Sequence, residues 1–372
     1  MARYDDVLMQ AALALARRGL GQTWPNPSVA ALVVDERFDP PVMLGRGRTS
    51  PGGRPHAEAN ALAEAGAAAR GATLIVILEP CARRSQRVFG LSCTEHILEA
   101  GIARVVIGAP DPSPFASGEG ATRLREAGVQ VVTGVLESEA LAINRGHCLR
   151  LAAHRPFVTL KLAQTADGFA GALNRRPLPI TGEAARAFVH RLRASHDALL
   201  TGIGTVLADD PRLDVRLPGM ADLSPLRVVL DTHGRLPADA RLLTDAAPAC
   251  VLIMSATALE NRELLPASAE TLACPKADNG HLDLAAVLGA LAARGITRLM
   301  VEAGPTLADA FAKAGFVDEF ALLTAPHKVG EGLLAIGPSL AEWLATAHVT
   351  GERLLGNDRL TIYEARHRCS PE

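Results

Sequence analysis

The stretch that decides the fold runs Gly52-Gly53-Arg54-Pro55-His56-Ala57-Glu58, and Glu79-Pro80-Cys81 and then Cys93 follow it along the chain. Pro55-His56-Ala57-Glu58 stands at the start of a predicted helix, Glu79-Pro80-Cys81 ends a predicted strand, and Cys93 begins the next predicted helix. One imidazole and two thiolates suit Zn²⁺, and three protein ligands leave the fourth position of the metal for water. His56, Cys81 and Cys93 are therefore candidate zinc ligands.

Glu58 lies two residues after His56, on the first turn of the same predicted helix. From there a carboxylate reaches both an activated water and a leaving nitrogen, so one side chain serves as general acid and base. Taken singly, His56-x-Glu58 fits a solvated helix start and Cys81 fits a buried structural cysteine equally well. The combination, with Pro-Cys one strand later and another Cys at a helix start, is the signature of zinc-dependent nucleobase deaminases.

Strands alternate with helices on both sides of a boundary placed near residues 148–156. Before it, the predicted strands are Val29–Val34, Thr73–Leu78, Arg104–Ala109 and Val129–Thr133, and the predicted helices are His56–Arg70, Thr94–Ala100 and an N-terminal one through Arg18. After it, the predicted strands are Phe157–Leu162, Ala198–Gly202, Arg227–Asp231, Cys250–Met254, Arg298–Val301 and Glu319–Thr324, and the predicted helices are Glu183–Ala194, Leu282–Arg294 and Thr306–Ala314. Strands separated by helices indicate layered α/β domains.

Composition narrows the classes of protein. A chain of 372 residues with 48% hydrophobic and 21% charged residues is typical of a two-domain globular enzyme. A net charge of −2 and only 3% aromatic residues disfavour general binding of nucleic acid or membrane surfaces. No apolar run is long enough to span a membrane, and Met1-Ala2-Arg3-Tyr4 begins no signal core, so we expect a cytoplasmic protein. No role is assigned to the four remaining cysteines, Cys148, Cys250, Cys274 and Cys369.

These motifs together resemble the bifunctional riboflavin-biosynthesis deaminase–reductase family (RibD). In the first half the resemblance is carried by Trp24-Pro25-Asn26-Pro27-Ser28-Val29, Gly52 to Glu58, Leu78-Glu79-Pro80-Cys81 and Ala100-Gly101-Ile102. It implies a cytidine-deaminase-like three-layer domain over residues 1–149, with His56, Cys81 and Cys93 as zinc ligands, Glu58 as the catalytic residue and Asn26 as a substrate ligand.

The loop from Ala82 to Ser92 departs from the family, because it is longer than usual and contains no His. Substrate contacts made by the usual loop therefore do not transfer to this chain. Its arginines, Arg83, Arg84 and Arg87, are candidates for contacting the ribose phosphate of the substrate, since a guanidinium presents a planar fork to phosphate oxygens. A solvated basic loop is the alternative interpretation.

Three segments of the second half resemble the reductase half of the same family. They are Pro156 to Leu162 leading into Ala166-Asp167-Gly168, Thr201 to Pro211, and Val301-Glu302-Ala303-Gly304-Pro305-Thr306-Leu307. The resemblance implies a dihydrofolate-reductase-like domain over residues 155–372 that binds NADPH through Ala163, Thr205, Asp209, Thr232, Gly304, Pro305, Thr306, Leu307, Ala308, Asp309 and Ala310. It implies substrate binding by Arg193, Leu213, Arg216 and Glu302.

Each of these segments, taken alone, also fits an ordinary tight turn or helix cap. Two departures from the family lie in this half. Pro177-Leu178-Pro179 occupies the place of the usual Ser-x-Trp, and Asp214 stands where Thr is common. Lys161 and Asp167, at the end of the first strand, are candidates for facing the ribose.

The resemblance implies two consecutive reactions. The first is zinc-dependent hydrolytic deamination of 2,5-diamino-6-(5-phosphoribosylamino)pyrimidin-4(3H)-one to 5-amino-6-(5-phosphoribosylamino)uracil, and the second is NADPH-dependent reduction of the ribosyl chain to ribityl. The expected partner is a small phosphorylated pyrimidine, and the sequence leaves a homo-oligomer open. One alternative is a divergent paralogue that retains one of the two activities. The other is a zinc deaminase acting on another nucleobase substrate, with the second half as a recognition module that does not bind NADPH.

Overall fold

A computed structural model of the protein describes residues 4–83, 90–113, 117–172, 179–244, 249–260 and 269–366. The chain divides into two compact units, Met1–His154 and Arg155–Glu372. Residue 149, the expected end of the first domain, lies inside the helix Glu137–Ala153. Within the described ranges, no helix is both long enough and apolar enough to cross a membrane.

The first unit is built on a five-stranded sheet. Its described strands and helices are β1 (Ala30–Asp35), β2 (Val42–Arg48), β3 (Thr73–Leu78), β4 (Arg104–Ala109), β5 (Gln130–Thr133), α1 (Asp5–Arg17), α2 (Ala57–Ala65), α3 (Cys93–Ala100), α4 (Glu119–Glu126) and α5 (Glu137–Ala153). The sheet order is β2-β1-β3-β4-β5, with β1 antiparallel to both of its neighbours and β3, β4 and β5 parallel. The predicted bounds of β3 and β4 are confirmed.

Sequence reasoning missed β2, because three of its seven residues are exposed and glycine alternates with arginine in its second half, so no apolar alternation marks it. Two glycines of this strand lie against α2. A Cβ added at Gly45 would come 2.4 Å from the carbonyl oxygen of Ala61, and one at Gly47 would come 2.3 Å from that of Ala57. Glycine is thus needed for the close approach of β2 to the helix that carries Glu58.

Helix α2 ends sooner than the sequence predicts. The chain turns at Gly66, whose φ is +54°, and continues as a short 3₁₀ helix over Gly66–Ala69. Helices α1 and α5 pack on each other and on β3, whereas α2 packs on β1, β2 and α3. The buried strands β1, β3 and β4 form the centre of the core between these helices.

The second unit is built on a nine-stranded sheet. The described strands of the second unit are β6 (Phe157–Gln164), β7 (Phe169–Gly171), β8 (Ala198–Gly202), β9 (Leu226–Leu230), β10 (Cys250–Met254), β11 (Ala269–Ala273), β12 (Arg298–Glu302), β13 (Glu319–Thr324), β14 (Leu333–Leu334), β15 (His348–Leu355) and β16 (Asp358–Glu364). Nine of them form the main sheet, and β7 and β14 pair as a separate antiparallel two-stranded sheet. The described helices of this unit are α6 (Glu183–Ala194), α7 (Ile203–Asp209), α8 (Arg241–Thr244), α9 (Ala256–Glu260), α10 (Leu284–Ala293), α11 (Pro305–Lys313) and α12 (Pro338–Thr346).

The strand order of this sheet is β11-β10-β9-β8-β12-β6-β13-β16-β15, and the run from β11 to β13 is parallel throughout. The carboxyl ends of these strands therefore lie at one edge of the sheet, where ligands of open α/β sheets usually bind. The antiparallel hairpin of β15 and β16 was not predicted, because β15 is largely exposed and lacks an apolar pattern.

Candidate active sites

The expected zinc ligands of the first unit converge on one point. His56 Nδ1 lies 3.2 Å from Cys93 Sγ and 3.8 Å from Cys81 Sγ. The three ligand atoms all lie within 4.8 Å of one another. A tetrahedral ion with ligand bonds of about 2.0–2.3 Å requires ligand atoms roughly 3.5 Å apart. The three side chains therefore fit zinc in both donor chemistry and spacing.

Two of the three expected ligands lie at helix starts, and Cys81 lies in the loop that follows β3. His56 is the N-cap residue of α2, and Cys93 is the first residue of α3. Ser92 caps α3, since its hydroxyl accepts from the backbone N–H of Glu95 while the Glu95 carboxylate accepts from the backbone N–H of Ser92. This capping box fixes the start of α3 and hence the position of Cys93.

Glu79 holds the segment that carries Cys81, a role that sequence reasoning did not assign. It is buried, and its carboxylate accepts from the backbone N–H groups of Gly118 and Ala121 at 2.9 Å each, at the start of α4. A Cβ added at Gly120 would come 2.1 Å from the carbonyl oxygen of Pro80, so α4 packs tightly on this segment. An acidic residue just before Pro-Cys, followed by a glycine-rich helix start, is the sequence signal for this contact.

Burial and neighbouring groups shift the pKa of the Cys81 thiol and that of the Glu58 carboxyl in opposite directions. Hydrogen bonds from Cys93 and His56 lower the pKa of Cys81 to about 4, so Cys81 is a thiolate at neutral pH. Burial raises the pKa of Glu58, although the nearby His56 partly opposes this. Glu58 is only 4% exposed and hydrogen-bonds with Cys93, which places its carboxyl beside the ligand cluster.

Asn26 contacts Gly53, three residues before His56, and the carboxyl of Asp111 lies near enough to Cys81 and His56 to interact with their charges. Asn26 Nδ2 donates to the carbonyl oxygen of Gly53 at 2.8 Å, and Gly53 lies in the left-handed region with φ +88°. A side chain at Gly53 would collide with Asn26, so glycine is required there. Asp111, which sequence reasoning missed, has its pKa raised by burial and by the charges of Glu79 and Cys81. Its only sequence signal is its position just after β4.

Arg83 forms a two-bond ion pair with Glu119, at 2.9 Å and 2.8 Å. Both residues are exposed, and the pair ties the start of the 82–92 loop to α4. This pairing competes with the phosphate contact that the sequence suggested for Arg83. Arg84 and Arg87, the other two candidates for that contact, lie outside the described residues, as do Pro177 and Leu178 in the second unit.

The thiols without an assigned role differ from the ligand thiols. Burial raises the pKa of Cys148 and of Cys250 to about 11, which keeps both protonated and unreactive at neutral pH. Cys274 is also buried, and Cys369 lies outside the described residues.

In the second unit, the residues expected to bind NADPH gather along one edge of the sheet. They follow or end four neighbouring parallel strands: Ala163 in β6, Thr205 and Asp209 in α7 after β8, Thr232 after β9, and Gly304 to Ala310 after β12 and in α11. Gly202 lies against Leu307, since a Cβ there would come 3.3 Å from Leu307 Cδ2. The helix starts after β8 and β12 are therefore adjacent.

Helix α11 begins with Gly304 as its N-cap residue and Pro305 in its first turn. The first N–H groups of a helix have no partner inside it and carry partial positive charge, which suits a phosphate. A Cβ on Gly304 would meet no atom within 4 Å, so the space in front of this turn is open. Asp309 faces elsewhere, because its Oδ1 accepts from the N–H of Leu340 at 2.9 Å.

Two of the expected substrate ligands pair with each other. Arg193 Nε and Nη2 donate to the two carboxylate oxygens of Glu302 at 2.9 Å and 3.0 Å. Lys161 Nζ reaches the same carboxylate at 3.4 Å, from the neighbouring strand. Burial alone would raise the pKa of Glu302, but Arg193 and Lys161 lower it to about 2. Glu302 is therefore an ionised carboxylate held between two cations.

Of the two other expected substrate ligands, Arg216 is half-exposed and ion-paired with Asp214, whereas the Leu213 side chain is buried in the core. Asp167 serves the fold, since its carboxylate accepts from the backbone N–H groups of Val329 and Gly330 at 3.1 Å and 2.8 Å.

Two family models match this arrangement of a metal cluster followed by a parallel-sheet unit. Residues 2–109 match the cytidine and deoxycytidylate deaminase zinc-binding region, and residues 156–350 match the RibD C-terminal domain. The riboflavin biosynthesis protein RibD of Aquifex aeolicus is 39% identical over 332 residues, which cover 88% of this chain and 89% of that protein. The chain belongs to the RibD family.

Other RibD proteins agree along most of their length. The Escherichia coli protein is 36% identical over 337 residues, which cover 88% of this chain and 89% of that one. A crystal structure of a deaminase/reductase from Thermotoga maritima has a TM-score of 0.83 at 31% identity and covers 97% of this chain and 98% of its own. A structure of Acinetobacter baumannii RibD has a TM-score of 0.84 at 32% identity, and the match covers 99% of this chain and 100% of that one. The predicted α/β class, with a cytidine-deaminase domain followed by a reductase domain, is confirmed.

Proposed function

We propose that this RibD-family chain deaminates 2,5-diamino-6-(5-phosphoribosylamino)pyrimidin-4(3H)-one in its first domain and reduces the ribosyl chain of the product with NADPH in its second. The proposed domains are residues 1–149 and 155–372. The observation that carries the deaminase assignment is the convergence of His56, Cys81 and Cys93 within 4.8 Å beside the buried Glu58. A small phosphorylated pyrimidine in the cytoplasm is the proposed substrate.

In the deaminase site, His56, Cys81 and Cys93 would hold the zinc ion. When bound, zinc would supply an activated water for hydrolysis at neutral pH. Glu58 would take a proton from that water and deliver it to the leaving nitrogen, a task that suits a buried carboxyl with a raised pKa. Asn26 would bind the substrate at the edge formed with Gly53.

In the reductase site, Ala163, Thr205, Asp209, Thr232 and the start of α11 from Gly304 to Ala310 would bind NADPH, which supplies a hydride when bound. The N-terminus of α11 would face a phosphate of the cofactor. Arg193, Leu213, Arg216 and Glu302 would bind the substrate. The Arg193–Glu302 pair supports this assignment, because it presents a fixed, ionised carboxylate next to Lys161.

Metal content and ammonia release test the first activity. Wild-type protein should contain one zinc per chain and release ammonia from the diaminopyrimidinone substrate. Cys93→Ser should lose zinc and deamination, whereas the control Cys148→Ser should keep both, since Cys148 is outside the ligand cluster. Retained zinc and full deamination in Cys93→Ser would overturn the ligand assignment.

Cofactor oxidation tests the second activity. Purified protein given the deaminated intermediate and NADPH should lose absorbance at the reduced-nicotinamide band. No loss, with zinc-dependent ammonia release intact, would instead support the paralogue that retains only deamination. Absence of NADPH binding would favour a deaminase whose second half is a recognition module.

A further inference from the structure

The loop from Asp209 to Arg216 carries more charged groups than the proposed substrate ligands account for. It lines a cavity of about 260 Å³ in the second unit. The charged residues around that cavity are Arg193, Asp209, Asp210, Arg212, Arg216 and Arg241. Arg193 is paired with Glu302, whereas Arg212 and Arg216 share one partner, Asp214.

Asp214, next to this cavity, organises three of the guanidinium groups. One carboxylate oxygen accepts from Arg216 Nη1, and the other accepts from Arg212 Nε at 3.0 Å. The backbone carbonyl oxygen of Asp214 accepts from Arg193 Nη1 at 2.9 Å. Since both carboxylate oxygens are used, the side chain of Asp214 holds Arg212 and Arg216 at a fixed separation.

The backbone on both sides of Asp214 is fixed as well. Leu213 has φ +55°, an uncommon conformation for a leucine, and its side chain is buried in the core. Asp210 has φ +38°, and its carboxylate accepts from the backbone N–H of Arg241 at 2.9 Å. Such conformations persist only where the surroundings impose them, so this loop is held in one shape.

Arg216 is held at its backbone too. Its N–H donates to His190 Nδ1 at 3.4 Å. Burial and the charges of Arg193 and Arg216 lower the pKa of His190, so its ring is neutral at neutral pH and can accept this bond.

Exposure shows which side of the cluster faces a ligand. The side chain of Asp214 is 6% exposed, whereas those of Arg212 and Arg216 are 37% and 47% exposed. Burial would raise the pKa of Asp214, but Arg216 and Arg212 outweigh it and lower that pKa. An ionised aspartate between two arginines leaves one net positive charge toward solvent, and paired guanidiniums suit phosphate oxygens.

We propose that Asp214 is a positioning residue that holds Arg212 and Arg216 side by side as a binding site for a phosphate monoester in the reductase domain. This inference rests on the proposed function, under which two such groups are present. One is the ribosyl phosphate of the substrate, and the other is the 2′-phosphate of NADPH. Arg212 then joins Arg216 as a second phosphate ligand.

Binding of small probes tests the site without catalysis. Ribose 5-phosphate and ribose form one pair of probes, and adenosine 2′,5′-bisphosphate and adenosine 5′-monophosphate form the other. Binding of each is followed by ligand-observed NMR with wild-type protein, Asp214→Asn and the control Asp222→Asn, which removes an exposed charge on the following turn. One phosphate-bearing probe should bind Asp214→Asn about tenfold more weakly or worse, while its phosphate-free partner is unaffected.

Whether phosphate probes bind Asp214→Asn more weakly or more tightly than wild-type protein distinguishes a positioning role of Asp214 from a purely electrostatic one. Asparagine has one acceptor oxygen, and its amide N–H groups oppose a guanidinium, so it can hold only one of the two arginines. A purely electrostatic role for Asp214 would make the variant bind phosphate more tightly, because a negative charge is removed. Tighter or unchanged binding of both phosphate probes would therefore overturn the proposal. The pair of probes that responds identifies the phosphate.

Kinetics supply a second readout. In Asp214→Asn the KM of either the phosphorylated substrate or NADPH should rise about tenfold or more with kcat little changed, whereas a general structural defect would lower kcat and the melting temperature. If Asp214→Asn does not fold, Arg212→Ala at the exposed end of the cluster should show the same KM rise. A wild-type protein that does not oxidise NADPH would contradict the proposed reductase activity, yet the probe titrations would still decide the phosphate site.

Discussion

In the first unit, the three expected zinc ligands lie at two helix starts and in the loop after one strand, and their ligand atoms meet within 4.8 Å. In the second unit, the residues expected to bind NADPH are spread from Ala163 to Ala310 and are brought together by four neighbouring parallel strands. The expected metal site therefore depends on a few residue types at fixed places, whereas the expected cofactor site depends on the order of strands in a sheet. This difference predicts that a single substitution in the first site lowers its activity without changing stability. In the second site, a single substitution should lower activity partly by destabilising the fold.

Glu58→Gln should have the largest effect on activity. Glutamine keeps the shape of the side chain but cannot shuttle a proton, so kcat for deamination should fall by about 10²–10⁴-fold. Zinc content and NADPH oxidation should stay at wild-type levels. Ammonia release, metal analysis and the nicotinamide absorbance measure the three properties.

The control for this variant is Glu99→Gln, which makes the same change at an exposed position of α3. It should leave all three properties unchanged. Deamination by Glu58→Gln at the wild-type rate would show that the buried carboxyl beside the cluster is not the proton carrier.

Arg193→Ala should act on the second site through the fold as well as through binding. It leaves the carboxylate of Glu302 with only Lys161 as a partner at 3.4 Å. Removing one partner of a largely buried pair costs about 3–5 kcal/mol of unfolding free energy. We expect a loss of that size in denaturant unfolding of the second unit, together with loss of NADPH oxidation and intact deamination.

The same helix offers a matched control, because Arg191 is exposed whereas Arg193 is buried. Arg191→Ala should change neither stability nor activity. Equal effects of the two variants would show that the pair with Glu302 contributes nothing specific to this site.

Two glycine-to-alanine substitutions, one in each unit, compare a tightly packed position with an open one. Alanine at Gly47 would bring Cβ 2.3 Å from the carbonyl oxygen of Ala57, so α2 must shift away from β2. Overpacking of this kind costs about 1–3 kcal/mol, and the shift moves the helix that carries Glu58. Gly47→Ala should therefore lower both the stability of the first unit and the rate of deamination.

Gly289→Ala is the opposite case. It lies within α10, and a Cβ there would meet no atom within 4 Å. Alanine should stabilise the second unit by about 0.5–1 kcal/mol, because it lowers the entropy of the unfolded chain without strain. If both substitutions destabilise alike, the close approach of β2 to α2 is not what the glycine serves.

The sequence predicted more of the candidate site in the first unit than in the second. The convergence of His56, Cys81 and Cys93 could be predicted because histidine and cysteine are scarce residue types and the motif that carries them has a recognisable order. The bounds of β3 and β4 followed from their apolar runs. The role of Glu79 was missed because its partners, the N–H groups at the start of α4, lie about forty residues further along the chain. Asp111 was missed because the fold brings it near Cys81 and His56.

The limit of prediction from sequence is clearer in the second unit. Arg193 and Glu302 were both assigned to the substrate, but their ion pair joins residues more than a hundred positions apart, which no local pattern reveals. The hairpin of β15 and β16 was not predicted, since an exposed edge strand has little need of an apolar face.

Acid should weaken the second unit through His196. Burial lowers the pKa of this histidine to about 3, with Nδ1 2.7 Å from the carbonyl oxygen of Leu192 and Nε2 2.9 Å from Thr159 Oγ. The unfolded residue, with its ordinary pKa near 6.5, takes up a proton that the folded one does not. Its contribution to stability is therefore complete above about pH 6.5 and is lost as the pH falls toward 3, by about 1.4 kcal/mol for each pH unit.

Urea unfolding between pH 7 and pH 5 measures this dependence. With Trp24 replaced by Phe, the remaining tryptophan, Trp343, reports on the second unit alone. His196→Gln should be less stable at pH 7. Between pH 7 and pH 5 its free energy of unfolding should depend less steeply on pH than that of the wild type, by about 1 kcal/mol per pH unit on average, because the unfolded imidazole is only partly protonated near pH 6.5. An unchanged slope would exclude His196 as the titrating group.

The smallest effect is expected at Arg83, where the exposed pair with Glu119 joins the 82–92 loop to α4. Exposed ion pairs contribute little to stability, because solvent screens them and both side chains lose freedom. Arg83→Ala should leave unfolding unchanged, and KM for deamination should also hold if Glu119 is the true partner of this guanidinium. A raised KM in Arg83→Ala, with Glu119→Gln unaffected, would instead assign Arg83 to the substrate phosphate, and the first site would then depend on a loop arginine as the second does.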